Sequence, residues 1–280
     1  MANITPELIK KLRDRTGVGI GKCKEALAAT DGDIETAISN LRKAGMASAV
    51  KKADRETNEG MIGFAENDQC IAVAEVNAET DFVVKNDKFV EFLKNIVEEV
   101  AATQPKSLED FLAQKYSKEP TLTIDEFRGT IVQMIGENIQ ISRILIVPKS
   151  AKNSLGVYSH MNGKIVTLVE IEGESGHEDL AKDVAMHAAA SHPDYLNPES
   201  VPADVLNHEK EIAKSQIPPG KPDNIIDKIL EGKVRAFYDQ ACLSHQKFIK
   251  DDSVTIEQLI KKAGNNLSIK SFSRWAIGQK

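Results

Sequence analysis

Two stretches of the chain share one order of strand, tight turn, strand, loop and helix, and this repeat limits the fold more than any other feature. In the first copy, strands are predicted over 60–66 and 69–77, joined by a turn at Asn67-Asp68. An apolar stripe at helical spacing then predicts a helix over 87–102. Such a unit places its helix on one face of antiparallel strands.

The second copy has the same order of elements. Strands are predicted over 155–161 and 164–172, joined at Asn162-Gly163, a dipeptide that strongly favours a hairpin turn. An acidic loop follows, and then a helix in which the apolar residues of 180–188 align on one face. We therefore expect an α+β fold that contains two related units with antiparallel sheets.

Two further strands complete the predicted core, and a pair of helices is inserted into the second unit. Residues 138–147 are expected to complete the first sheet, and residues 266–276 the second. Residues 203–216 and 223–240 are predicted helices, separated by a proline-rich reversal at 217–222. Their thin apolar seam indicates a hairpin that protrudes and contacts a partner or a second copy.

The N-terminal residues predict a small bundle of three helices. Thr5 is a suitable N-cap for the first helix, and Pro6 suits its first position. The glycine-rich run 16–21 breaks this helix. In the third helix, the apolar residues of 34–41 share one face, and Gly45 fits just past its end.

These segments divide the chain into a helical head, a charged linker without a core face, two core subdomains and an inserted hairpin. The predicted boundaries are 1–45 for the head, 46–58 for the linker, 59–149 for core subdomain one, 150–197 with 241–280 for core subdomain two, and 198–240 for the hairpin.

Charge is distributed unevenly over this division. The net charge is −6, yet residues 1–55 carry 11 Lys/Arg against 7 Asp/Glu. Because the whole chain is acidic, we do not expect it to bind nucleic acid by neutralising phosphates. A basic head on an acidic body could instead steer the protein to a partner of mixed charge.

The cysteines and the apolar runs indicate the compartment. Cys23, Cys70 and Cys242 are odd in number and form no Cys-x-x-Cys pair, which argues against a disulfide framework or a zinc site. The first residues show no secretory signal, and no apolar run approaches the 18 residues of a membrane span. We expect a cytoplasmic protein without a membrane association.

The stretch 75–83 carries the main functional prediction. A strand that reads as buried runs into an acidic loop containing Phe82. Polar residues surround Phe82, and the matching loop of the second copy, 172–179, has no aromatic residue. The fold therefore does not require an aromatic there, and we expect Phe82 to be exposed and available to an interface, where aromatic side chains dominate binding.

Other candidate sites have simpler interpretations. Glu75, Glu79 and Asp81 resemble metal ligands or an acid–base pair, but no histidine or glycine-rich loop accompanies them. The glycines of 16–23 lack the spacing of a phosphate-binding loop, so a tight helix–helix turn is expected there.

The histidines also divide by position. His187 lies on the apolar face of its helix and is expected to be a hydrogen-bonded core residue. His192 is five residues further on, so the two do not share a helix face as a metal pair would. His160 lies at the end of a hairpin strand, where both plain exposure and contact with a partner remain open.

Several stretches together match a known family. They are Leu12–Gly19, Cys23–Leu27, Gly32–Ile38, Glu75–Val83, Gly136–Ile139, Ala185–Ser191 and Glu231–Lys233. Through them the chain strongly resembles bacterial translation elongation factor Ts over nearly its whole length. The resemblance implies a three-helix head like ubiquitin-associated domains, two related α+β core subdomains with antiparallel sheets, and a protruding antiparallel helical hairpin.

The resemblance also implies a function. Such a protein is a guanine nucleotide exchange factor that binds elongation factor Tu in its GDP-bound and nucleotide-free forms. The Asp81-Phe82 loop would enter near the nucleotide phosphates, disturb the Mg²⁺ site and promote GDP release. No covalent chemistry or cofactor is required, so an enzyme is not expected.

The resemblance assigns partner contacts residue by residue. Those near the Mg²⁺ site would be Thr80, Asp81, Phe82 and Val83, and the others would be Arg13, Lys24, Lys52 and His160. Two departures stand out. Ile20 occupies a position where the best-known members have methionine, and we expect the ending Gly278-Gln279-Lys280 to lack a C-terminal helix that contacts the partner in some members.

Alternative functions remain at this point. The head alone could make the chain a ubiquitin-associated-like binding or chaperone module, in which case the Phe82 loop would be dispensable. A carboxylate-dependent metal enzyme would bind a divalent metal stoichiometrically. If the chain is the exchange factor that the resemblance implies, we expect it to bind no nucleic acid directly, and the hairpin could join two complexes as a dimer of heterodimers.

Overall fold

The computed structural model describes residues 4–218 and 222–279. The chain divides into two compact units, one of residues 1–148 with 277–280 and the other of residues 149–276. Helices and small antiparallel sheets occur in both units, which confirms the predicted α+β class. In the part of the chain that the structure describes, no helix combines the length and apolarity needed to cross a membrane.

Three helices form the predicted head bundle: α1 (Pro6–Thr16), α2 (Ile20–Ala29) and α3 (Ile34–Lys52). Thr5 caps α1, since its side chain accepts a hydrogen bond from Leu8 N, and Gly17 ends the helix in the left-handed conformation. The bundle encloses its own apolar cluster, with Leu12, Cys23 and Leu27 fully buried.

The prediction that Gly45 ends the third helix is wrong. α3 continues to Lys52, and Gly45 lies inside it at a close crossing with a later helix. A Cβ atom at Gly45 would lie 3.1 Å from the carbonyl oxygen of Gly129, so glycine serves here to bring two backbones together. The predicted linker therefore begins as helix, and Ala49 gives it a core face, being buried in the main cluster of the first unit.

The two strands and the long helix of the first copy form as predicted, within a residue or two at each boundary, and the loop expected between them contains one short helix. The elements of this copy are β1 (Glu59–Glu66), β2 (Cys70–Ala78), α4 (Asp81–Val84) and α5 (Asp87–Thr103). β1 and β2 pair antiparallel, with Gly63 opposite Ala74. Phe89, Phe92 and Ile96 are among the residues through which α5 is buried in the core.

No element was predicted from the sequence for the segment that follows α5. It contains α6 (Leu108–Ala113), β3 (Lys115–Tyr116), β4 (Glu119–Thr123) and α7 (Ile124–Ile135). A capping box starts α7: Glu126 N donates to the Thr123 side chain, and the Glu126 side chain accepts from Thr123 N. Then β5 (Ile139–Pro148) completes the sheet in the order β1-β2-β5, as expected.

The second unit repeats this plan. It begins with β6 (Asn153–His160), β7 (Ile165–Glu172) and α8 (Glu178–Ser191). α8 packs closely on β6 at Gly156, where a Cβ atom would lie 2.1 Å from Lys182 N. Both copies thus have a glycine in their first strand facing the helix, because a Cβ at Gly63 would also contact side chains of α5, those of Leu93 and Val97.

The helical hairpin forms within one residue of the predicted limits, as α9 (Ala203–Ser215) and α10 (Asp223–Ala241). Within these two helices the buried residues are Ala213 and Ala241, in keeping with the thin apolar seam. The predicted reversal at 217–222 lies partly outside the described residues. The base of the hairpin is closed by backbone hydrogen bonds from Asp194 N and Tyr195 N to Ala241 O.

The repeat proves longer than the sequence indicated. After the hairpin come β8 (Lys247–Phe248), β9 (Asp251–Thr255), α11 (Ile256–Ala263) and β10 (Ser268–Ala276), which completes the sheet β10-β7-β6. Thr255 and Gln258 form a capping box at α11, just as Thr123 and Glu126 do at α7. The short strand pairs β3-β4 and β8-β9 therefore occupy equivalent places in the two units.

Candidate functional site

The stretch predicted as an acidic loop is a single helical turn held between two caps. We call residues 79–85 the Phe82 turn. Thr80 caps α4 from the extended conformation, and its hydroxyl oxygen accepts a hydrogen bond from Val83 N at 3.4 Å. Asn86 in turn caps α5 through a bond from Lys88 N. The turn is therefore bounded at both ends by side-chain caps.

The residues of α4 divide between an inner side, which lies in the core, and an outer, exposed side. Val83 and Val84 are 9% and 3% exposed and belong to the core of the first unit. Phe82 is 81% exposed, the highest value among the exposed large hydrophobic residues of the described chain. Because the two valines fix the inner side of the turn, the phenyl ring is presented outward. The prediction that Phe82 is exposed is confirmed.

Asp81 and Lys85 form an ion pair on the outer side of the same turn. Lys85 Nζ lies 2.7 Å from Asp81 Oδ2, at the i,i+4 spacing that brings helical side chains together. Hydrogen bonding and the charge of Asp81 raise the pKa of Lys85. The outer face of the turn thus presents one aromatic ring beside a carboxylate and an ammonium group.

A carboxylate from a distant part of the chain holds the start of the turn. Glu137 Oε2 accepts a hydrogen bond from Thr80 N at 3.1 Å, and Glu137 Oε1 accepts one from Thr80 Oγ1 at 2.8 Å. We call this pair the Glu137 clamp. The Thr80 hydroxyl therefore donates to Glu137 while it accepts from Val83 N.

The residues next to this pair, Glu79 and Asn138, form a hydrogen bond in which the carboxylate and the N–H groups come from the opposite segments. Glu79 Oε1 accepts a hydrogen bond from Asn138 N at 2.6 Å, so each segment places one carboxylate on a backbone N–H of the other. Arg55 Nη1 lies 3.3 Å from the same Glu79 oxygen. Asn138 is fully buried and its Nδ2 donates to Arg55 O at 2.9 Å.

The end of α3 joins the same network. Lys52 Nζ donates to the carbonyl oxygen of Gly136 at 2.7 Å, and Gly136 is the left-handed cap of α7. Partial burial lowers the pKa of Lys52, and the nearby charges of Arg55 and Lys22 act in the same direction. Lys52 is thus partly occupied within the protein, although it was predicted as a partner contact.

The other carboxylate proposed from the sequence lies apart. Glu75 is buried in β2, and its Oε2 is 2.6 Å from Arg143 Nη2 on β5. Glu75, Glu79 and Asp81 therefore each face a different cation, respectively Arg143, Arg55 and Lys85. Within residues 4–218 and 222–279, no group of three or more His, Cys, Asp or Glu side chains is arranged to hold a metal ion.

The remaining predicted contacts occupy several surfaces. Arg13 on α1 and Lys24 on α2 are exposed on the head bundle. His160 is exposed at the end of β6 in the second unit, and its Nδ1 lies 3.3 Å from the hydroxyl of Tyr158. Thr80 and Asp81 are half-buried. Val83 differs from the rest, because its side chain is packed in the core of the first unit.

His187 has the core role predicted for it. The ring is fully buried, and its Nδ1 accepts a hydrogen bond from Ile249 N at 3.3 Å. The proton therefore lies on Nε2, which donates to Gln246 Oε1 at 3.0 Å. Burial lowers the pKa of His187, so the neutral ring is favoured.

Sequence reasoning missed the residues that hold the Phe82 turn in place. Glu137 is 57 residues from Thr80, and Asn138 is 59 residues from Glu79. No local pattern predicts such a pairing. The sequence assigns Gly136–Ile139 to a family motif, and its last two residues to the predicted strand 138–147, but the contact with the turn becomes visible only in the fold.

Comparisons with known proteins agree with this architecture. A family model described as "Elongation factor TS" matches residues 79–279. Elongation factor Ts of Protochlamydia amoebophila (strain UWE25) is 62% identical over 283 residues, covering 100% of both chains. The Elongation factor Ts proteins of Chlamydia caviae and Chlamydia muridarum are 46% and 44% identical over 282 residues, each covering 99% of this chain and 100% of the relative. The chain therefore belongs to the elongation factor Ts family of translation elongation factors.

Proposed function

We propose that the protein is a guanine nucleotide exchange factor that binds elongation factor Tu in its GDP form and promotes GDP release. The observation that carries the proposal is the Phe82 turn, in which an almost fully exposed phenylalanine stands on a turn fixed by buried valines and side-chain caps. An exposed aromatic ring on a rigid support is suited to insertion into a partner. Family membership supplies the identity of that partner.

The mechanism we propose is thermodynamic coupling. A factor that binds nucleotide-free elongation factor Tu more tightly than its GDP form must weaken GDP binding by the same ratio. A thousandfold effect corresponds to about 4 kcal/mol of differential binding free energy. Burial of one phenylalanine contributes about 1.5–3 kcal/mol, so Phe82 and a few further contacts are sufficient.

Each residue of the turn has a proposed role. Phe82 inserts near the phosphates, and Asp81 disturbs the elements of the partner that hold Mg²⁺. Thr80 and Val83 hold the turn, the former through its cap and the Glu137 clamp and the latter through the core. Arg13, Lys24, Lys52 and His160 are proposed contacts elsewhere on the partner.

Several further points belong to the same proposal. Exchange by insertion makes and breaks no covalent bond, so the protein acts as a binding factor and not as an enzyme. We place it in the cytoplasm with its partner. The hairpin of α9 and α10 has little buried surface of its own, which supports a role in contacts between molecules, including a dimer of heterodimers.

Release of labelled GDP from purified elongation factor Tu, with and without the protein, tests the function. We expect the release rate to rise with the concentration of the protein at millimolar Mg²⁺. Because the proposed mechanism disturbs the Mg²⁺ site, the acceleration should shrink when a chelator has already removed the metal. A release rate that does not respond to the protein would contradict the proposal.

A further inference from the structure

We propose that Glu137 is a positioning residue for nucleotide exchange, which acts by fixing the direction in which the Phe82 turn presents its aromatic ring. The inference rests on the proposed function. It concerns a residue outside the turn, on the loop between α7 and β5, that does not itself need to touch the partner.

The first step is the geometry of the clamp. Both oxygens of Glu137 accept hydrogen bonds from Thr80, one from the backbone N–H and one from the hydroxyl. Thr80 precedes α4, so its N–H has no acceptor within that helix. A carboxylate that accepts two bonds from one residue fixes both its position and its orientation, and bonds to a charged acceptor are stronger than neutral ones.

The second step is the weakness of α4 by itself. The helix has four residues, whereas isolated helices shorter than about 12 residues are marginal in water. Ala78, which ends β2, and Val83 and Val84 on the inner side of α4 are held in the core, whereas the half-buried Thr80 between them is restrained by polar contacts. Glu137 supplies that restraint at Thr80, two residues before Phe82.

The third step is the rigidity of Glu137 itself. Gly136, on one side, has its carbonyl oxygen bound by Lys52 Nζ at 2.7 Å. Asn138, on the other side, donates its N–H to Glu79 at 2.6 Å and is fully buried. The carboxylate therefore extends from a backbone that is held at both neighbours.

A fixed ring binds better than a mobile one, because less conformational entropy is lost on binding. Loss of the clamp should leave Phe82 present but poorly directed. We expect Glu137→Ala to slow stimulated GDP release about tenfold, with Glu137→Gln intermediate since an amide oxygen can accept only part of the two bonds. Glu56→Gln, which removes an exposed carboxylate of the same unit, is the control for charge.

A double-mutant cycle separates positioning from other roles. If Glu137 acts through Phe82, Glu137→Ala should change the exchange rate less than about twofold in the Phe82→Ala background, compared with about tenfold in the natural protein. A residue that contacts the partner directly, or only stabilises the fold, would have the same effect in both backgrounds. Thermal unfolding of each variant shows whether it is folded. If Glu137→Ala does not fold, Glu137→Gln takes its place in the cycle.

Threonine variants test the other half of the clamp. Thr80→Val keeps the shape of the side chain but removes the hydroxyl that donates to Glu137 and caps α4. Thr80→Ser keeps that hydroxyl. We expect the valine variant to lose more of the exchange rate than the serine variant, and the Thr80→Val and Glu137→Ala effects to be less than additive.

A measurement without the partner distinguishes failure of this inference from failure of the exchange function. Trp275 is the one tryptophan of the chain, so Phe82→Trp combined with Trp275→Phe places a single reporter on the turn. Glu137→Ala should increase the amplitude of the fast component in the fluorescence anisotropy decay of that tryptophan.

An unchanged decay, or equal effects of Glu137→Ala on exchange with and without Phe82, would overturn the positioning role. If the decay responds but neither Phe82→Ala nor Glu137→Ala alters exchange, the clamp is present and the insertion mechanism is wrong. The inference about exchange then fails with it.

Discussion

Phe82 is expected to contribute little to the stability of the fold and much to function. With 81% of its surface exposed, it has little to lose when the protein unfolds. Surface substitutions of this kind usually change the free energy of unfolding by less than about 0.5 kcal/mol. Phe89, seven residues further on, is fully buried, and truncation of such a residue costs about 3–5 kcal/mol. Neighbouring phenylalanines in one unit thus have opposite roles.

His187 leads to a prediction about pH at the same scale. Its pKa in the folded protein is lowered from the ordinary value of 6.5 by burial. Below pH 6.5 His187 is protonated in the unfolded chain but stays neutral in the folded protein. The contribution of His187 to the free energy of unfolding is therefore complete above about pH 6.5 and decreases as the pH falls. We expect the thermal midpoint to decrease between pH 7 and pH 5, and His187→Gln to remove part of that decrease.

His208→Gln is the matched control, because His208 is exposed on α9. It should leave the pH dependence of the thermal midpoint as it is in the natural protein. If His187→Gln and His208→Gln behave alike, the buried histidine does not control this pH dependence.

Residues differ in how far the sequence alone could predict them. The exposure of Phe82 followed from its polar neighbours and from the absence of an aromatic residue in the second copy. The burial of Val83 did not follow, because it depends on the one-turn helix that places Val83 and Val84 on the side away from Phe82. The Glu137 clamp could not be predicted, because it joins residues that only the sheet and α7 bring together.

At the scale of elements, the contact between helix and strand in each repeat depends on a glycine. A Cβ at Gly156 would lie 2.1 Å from Lys182 N, a backbone atom of α8. A Cβ at Gly63 would lie 3.0 Å from Leu93 Cγ, a side-chain atom that can move. We therefore expect Gly156→Ala to destabilise by about 3 kcal/mol or more and Gly63→Ala by about 1–2 kcal/mol.

Chemical denaturation of the two variants checks this prediction. Gly63→Ala serves as the control for the loss of glycine from a strand, since both residues lie in the first strand of a repeat. Equal destabilisation by the two substitutions would contradict the view that the backbone contact at Gly156 is the cause.

The elements themselves were predictable to the extent that they carry a pattern. The hairpins, the helices α5 and α8 and the third strand of each sheet followed from apolar spacing and turn residues, whereas α7 was not predicted. The strands β3 and β8 have two residues each, too few to show any alternation. The end of α3 was misjudged because a glycine at a close helix crossing has the same sequence signature as a glycine that ends a helix.

At the scale of the whole molecule, each unit contains the same sequence of hairpin, helix, short strand pair, capped helix and final strand. The two copies differ where function is proposed. The first copy has the Phe82 turn after its second strand, whereas the second copy has a loop without an aromatic residue and gains the hairpin of α9 and α10. We infer that the shared elements provide the scaffold and that these two additions provide contacts besides those proposed for the head and for His160. The role of the hairpin in joining two complexes remains a prediction.

The central claim is that this scaffold presents Phe82 so that elongation factor Tu releases GDP. Its most direct test is the rate of labelled GDP release from elongation factor Tu stimulated by Phe82→Ala, compared with the natural protein and with Val90→Ala, which shortens another exposed apolar side chain. We predict that Phe82→Ala remains folded and that its stimulated release rate is at least about tenfold lower, because the variant loses one aromatic contact that is buried in the complex. We predict that Val90→Ala gives the same rate as the natural protein. Equal stimulation by all three proteins at equal occupancy of the partner would contradict the account.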